Sequence, residues 1–247
     1  MPDFTLSLSD CDRRGHTGAV SEKRGEILRR AVLIRAIEAT VVALALAVPA
    51  GYAGDEYWEY SDRNIDVTAV GNGAYAANLA RACIQLDAML TRILAIKTPY
   101  RPPTHIFSMP AAELKRFTGQ DLSATYRNSG YENTVLMDSA GVPGRRYWGA
   151  YFGYTATLLA SDRRLGGPEW YRVGVPAVFA DTVFEGGHAQ IGNITPVFAY
   201  TLGTGALIPM RTFLSLTQQE AEAKGRHYLE MYDAEAWFLA REIFIDL

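Results

Sequence analysis

Cysteine is scarce in this chain. Cys11 and Cys83 are the two among 247 residues, too few for a disulfide scaffold or a closed cysteine-rich zinc site. Excess charge is missing as well. Lys and Arg number 24 against 27 Asp and Glu, a formal net charge of -3, so no basic surplus draws the chain to nucleic acid or anionic lipid. No GxSxG elbow and no phosphate-binding GxxxxGK loop occurs. Internal repeats and low-complexity tracts are lacking too. What is there, 49% hydrophobic and 21% charged residues, suits a globular chain that buries a core as one domain.

Long hydrophobic runs are also absent. The apolar run at residues 39–50 falls short of the roughly 20 residues a spanning helix needs. Lys23, Arg24, Arg29, Arg30 and Arg35 precede it and Glu38 bounds it. Gly51 and Ala53 follow at the minus-three and minus-one positions of a cleavage site. This order of basic, apolar and small residues reads as an export signal. The expectation is therefore a signal peptide and leader over 1–53, a single domain over 54–247, and a periplasmic or secreted product without stable membrane insertion. Retention of the leader as an anchor is the alternative. Cleavage leaves Cys83 as the sole thiol. It lies on the stripe Leu79, Cys83, Leu86, Leu90, Ile93, whose three- and four-residue steps mark the buried face of a helix.

The pattern predicts strands at 57–60, 65–70, 105–107 and 134–137, and helices at 74–96, 110–117, 146–160, 169–181 and 224–245. Ser108 is the expected cap of the second helix. Gly186-Gly187 between Thr182 to Glu185 and His188 to Ile191 predicts a hairpin. Strands and helices are mixed without strict alternation, which gives an α+β class with a small mixed or antiparallel sheet packed against helices. The segment from Gly71 to Ala76 fits GxGxxA, but no acidic residue closing a second strand follows about 20 residues on, so it reads as a glycine-rich helix entry. His105, His188 and His227 fall in separate elements without ligand spacing.

Two stretches carry the most information. Tyr151-Phe152-Gly153-Tyr154-Thr155-Ala156-Thr157-Leu158-Leu159 is followed, after a loop, by Pro168-Glu169-Trp170-Tyr171-Arg172-Val173-Gly174-Val175-Pro176-Ala177-Val178-Phe179. Together they resemble the gluzincin, or thermolysin-like, zinc peptidases of the peptidase MA-like group, in which a HEYTHxLL helix precedes a PxWxxEGxAEYF helix. Residues 184–192, 209–216 and 232–244 are similar to that family's following hairpin, leucine-rich segment and closing Trp-containing helix.

The resemblance implies a gluzincin-like core with two facing former active-site helices. In such a site two imidazoles one helical turn apart and a Glu on the next helix hold zinc, and the Glu beside the first His is the general base. Position by position, the ligands fall on Phe152, Ala156 and Val173 and the base on Gly153. None of these side chains can bind zinc or take a proton. The resemblance therefore implies a lost zinc site, no cofactor and no catalytic residues, with Phe152, Ala156 and Val173 packed together in its place. Pro176 stands where the family continues its second helix, and is expected to end or kink it. Trp170, Arg172 and Arg241, the last where the family often has a His, are the candidate lining of the former cleft. The implied function is an exported pseudoenzyme that binds a peptide or an envelope protein there. The alternatives are a hydrolase with a relocated site and a structural envelope protein.

Overall fold

Alternating burial sets the sheet. The structure is a computed structural model and describes residues 5–7, 20–21, 57–96, 101–141, 145–161, 165 and 167–246. Its strands are β1 (Thr5–Ser7), β2 (Val20–Ser21), β3 (Tyr57–Asp62), β4 (Ile65–Val70), β5 (Thr104–Met109), β6 (Ala124–Asn128), β7 (Asn133–Asp138), β8 (Val183–Glu185) and β9 (His188–Gln190). In β4 and β7 buried and half-buried residues alternate strictly, as a sheet with one packed face requires.

The main sheet is mixed, in the order β2-β3-β4-β5-β7-β6. β4, β5 and β7 run parallel, while β3 and β6 pair antiparallel at the two sides. β1, β9 and β8 form a second, three-stranded sheet. The packed face of the main sheet presents Ile65, Val67, Ile106, Val135 and Met137. The opposite face carries polar pairs, with His105 Nδ1 3.3 Å from Asp66 Oδ2 across the β4–β5 register.

The helices are α1 (Gly73–Ile93), α2 (Ala111–Thr118), α3 (Trp148–Ser161), α4 (Glu169–Ala180), α5 (Pro196–Thr204), α6 (Met210–Ser215), α7 (Gln218–Ala223) and α8 (Arg226–Arg241), the last running into a π-helical turn, Glu242–Asp246. The Asn72 side chain caps α1 by accepting from Tyr75 N–H at 2.8 Å, which satisfies an otherwise orphaned helix donor. That capped turn is the helix entry expected from the GxGxxA segment. Leu79, Cys83, Leu86 and Leu90 are fully buried in one cluster with the strands, α3 and α4. A second cluster, including Trp170, Phe213, Leu216, Met231 and Tyr232, fills the space among α4, α6 and α8.

The class is α+β, with helices packed on a mixed sheet. Two local expectations change. Ser108 is not a helix cap: it lies buried in β5 with its hydroxyl 3.1 Å from that of Tyr75, and the cap position of α2 is Pro110. Pro176 does not end α4, which continues through it to Ala180. Most of residues 1–53, where a signal peptide and leader are expected, lie outside the described residues. Among the described residues no helix is long and apolar enough to cross a membrane.

Candidate functional site

Small residues on α3 let it lie directly on β6 and β7. A Cβ placed on Gly149 would stand 2.9 Å from the Ala124 Cβ and 3.1 Å from the Met137 Cβ; one on Gly153 would stand 2.5 Å from Val135 Cγ1. Farther along, Asn128 Nδ2 donates to Ser161 Oγ at 2.7 Å. Ala124, Tyr126 and Asn128 of β6 thus all turn toward α3, as alternate residues of one strand must.

The positions where the gluzincin resemblance would imply ligands and base carry hydrocarbon side chains or none. Phe152 is half-buried and stacks on Trp148, with ring centroids 5.1 Å apart and planes 16° from parallel. The Tyr126 ring meets Phe152 edge-on at 6.3 Å. Ala156 is buried. Gly153 has no room even for a methyl group beside Val135, so a carboxylate cannot stand at this position without moving helix or strand. Val173 sits on α4, in the second cluster rather than with Phe152. The three apolar residues therefore share no single patch. Side chains without nitrogen, oxygen or sulfur donors do not fit zinc. Among the described residues no three His, Cys, Asp or Glu side chains gather to hold a metal ion.

The expected cleft residues separate. Trp170 is buried, edge-on to Tyr171 at 5.9 Å and close to Phe213. Arg241 is half-buried, and its Nε donates to the Gly192 carbonyl at 3.1 Å, tying α8 to the chain after β9. Arg172 is exposed and paired with Glu169 one turn back. Burial first, and the Glu169 carboxylate second, push the Tyr126 phenol above its ordinary value, while Arg172 opposes them. Tyr126 is exposed even though its ring meets Phe152 on α3.

Tyr126 belongs to a strand that sequence patterning missed, and that strand stands at the edge of the main sheet among the described residues. Asp138 N–H donates to the Ser123 carbonyl and Ser129 N–H to the Glu132 carbonyl, both at 3.0 Å. Bonded pairs alternate in an antiparallel ladder, so with the observed register Thr125 and Arg127 bond to β7. Ala124, Tyr126 and Asn128 direct their N–H and C=O groups outward. Among the described residues no backbone group pairs with them.

A second concavity, of about 570 Å³, lies where α1, the approach to α3 and the end of α4 converge. Asp181 is buried in its wall and held by Arg145, with Nη1 2.9 Å from Oδ1, and by the Thr195 hydroxyl, which donates to Oδ2 at 2.7 Å. The only hint of it in sequence is the dibasic Arg145-Arg146 before the aromatic run Tyr147-Trp148.

Comparison of the chain with protein-family models, with curated proteins and with solved structures finds no match.

Proposed function

We propose that this chain is an exported, catalytically silent, peptidase-like protein that binds an extended segment of a peptide or protein partner along β6. One observation carries the reading. β6 presents the outward N–H and C=O groups of Ala124, Tyr126 and Asn128, unpaired among the described residues, while α3 packs on the side chains of the same residues. Added strands draw affinity from such unpaired main-chain groups, and selectivity from side-chain contacts on alternate residues. Here the adjacent contacts are the exposed Tyr126 and Leu122 side chains and the aromatic stack of Phe152 on Trp148. Catalysis is set aside because Phe152, Gly153, Ala156 and Val173 offer neither ligand nor base, and Gly153 has no space for one.

A random-peptide phage library panned on the purified chain tests this. Enriched peptides should lose binding to Tyr126→Pro, which removes one outward N–H but no bond of the β6–β7 ladder. They should retain part of it with Tyr126→Ala, which keeps that N–H. Failure to enrich any sequence, or equal binding by wild type and Tyr126→Pro, would overturn the proposal.

A further inference from the structure

The cleft between α1, α3 and α4 holds an imbalance of charge. Its lining includes Arg81, Arg145 and Arg146 but a single carboxylate, Asp181. Arg145 neutralises that carboxylate. The other two guanidinium groups stand without a carboxylate among the described residues: Arg81 Nη1 donates to Asn78 Oδ1 at 2.9 Å, and Arg146 lies over the Tyr75 ring at 4.5 Å. In a chain with a net charge of -3, two arginines that line one cavity with no carboxylate partner among the described residues form a local positive field. Low-dielectric walls focus such a field.

The walls add a second requirement. Tyr151 and Phe184 meet edge-on at 6.2 Å, and Trp148 also lines the space. At about 570 Å³ the cavity falls within the roughly 300–1,000 Å³ usual for small-molecule sites. Asp181 is not part of the ligand contact: its side chain is 2% exposed, and its contacts to Arg145 and Thr195 fix the cleft wall.

From this arrangement we infer that the cleft binds a small organic anion with an aromatic or apolar body, its acidic group held between Arg81 and Arg146 and its body against Trp148, Tyr151 and Phe184. Guanidinium groups suit this task because their planar donors engage carboxylate or phosphate oxygens in pairs. Although Trp148 also stacks on Phe152 near β6, the inference does not rest on peptide binding there, and either can fail alone.

The test uses the full chain and three naphthalene probes followed by calorimetry: 1-naphthoate, 1-naphthyl phosphate and the neutral 1-naphthalenemethanol. At least one anion should bind saturably and the alcohol should not. Which anion binds more tightly separates a carboxylate site from a phosphate site. Arg81→Gln and Arg146→Gln should each weaken the anion at least about tenfold, the order expected on losing a charge-assisted bond, and Arg81→Lys should recover part of the loss. Both arginines are exposed, so the melting temperatures of the variants should stay close to that of wild type, and affinity should fall as salt rises. Equal binding of the alcohol, no saturable binding of either anion, or unchanged affinity in Arg81→Gln/Arg146→Gln would overturn the assignment.

Discussion

Replacing Gly153 by Ala sets two opposing effects against each other. In a helix interior, Gly to Ala stabilises by about 1 kcal/mol through propensity alone. At this position the new methyl would stand 2.5 Å from Val135 Cγ1 and 3.0 Å from Cγ2. Val135 is fully buried, and a β-branched side chain has little rotamer freedom with which to withdraw. Overpacking of this kind costs about 1–3 kcal/mol, so Gly153→Ala should lower stability by up to about 2 kcal/mol. Removing the Val135 methyls should reverse the sign: in a Val135→Ala background, Gly153→Ala should become stabilising by up to about 1 kcal/mol. Urea unfolding of the four chains in the cycle measures this, provided the m-values agree. Equal stabilisation by Gly153→Ala in both backgrounds would refute the close approach of α3 to β7, and with it the argument that no carboxylate fits at this position.

Other substitutions extend the same reasoning. Gly174→Ala would bring a methyl to 2.0 Å from the Ala236 carbonyl oxygen; backbone cannot step aside as a side chain can, so its cost should reach the upper part of the range of about 1–3 kcal/mol in the same urea assay. Gly203, in α5 with open space around it, is the control: Gly203→Ala should stabilise by up to about 1 kcal/mol. Burial raises the Asp233 pKa to about 7, so between its unfolded value near 4 and pH 7 the folded chain holds a proton that the unfolded chain has released. Its contribution to stability therefore falls as pH rises through that window. Asp233→Asn should gain stability over wild type more at pH 8 than at pH 5, and a gain independent of pH would contradict the assignment. Cys83 is fully buried and its thiol is pushed well above its ordinary value by desolvation; in a Cys11→Ser chain, maleimide should label it on unfolding and only slowly before.

What the sequence made legible was set by local periodicity. The stripe through Cys83 announced α1, and Gly186-Gly187 announced the β8–β9 hairpin, because in both cases the signal is contained in neighbouring residues. β6 escaped notice for the opposite reason. Its residues Ala124, Thr125, Tyr126, Arg127 and Asn128 form a short polar edge, and their alternation acquires meaning only once α3 lies on Ala124, Tyr126 and Asn128. α5 was missed too, since Pro196, Gly203 and Gly205 around it punctuate like a loop. At the candidate site, residue identity sufficed to show that Phe152, Gly153, Ala156 and Val173 cannot hold zinc. Their placement required the fold: Val173 belongs to a different cluster from Phe152, Trp170 is buried, and Arg241 bonds to Gly192. The arginine cleft draws on α1, α3 and the end of α4, and no spacing along one segment encodes such a convergence.

The proposed function requires that the apolar packing beside α3 holds no metal. Elemental analysis of the purified chain, loaded with zinc and then desalted, tests it most directly when paired with a casein-cleavage assay with and without chelator. Zinc far below one ion per chain and no chelator-sensitive cleavage are the expected result. One tightly held zinc per chain, with cleavage abolished on its removal, would contradict it.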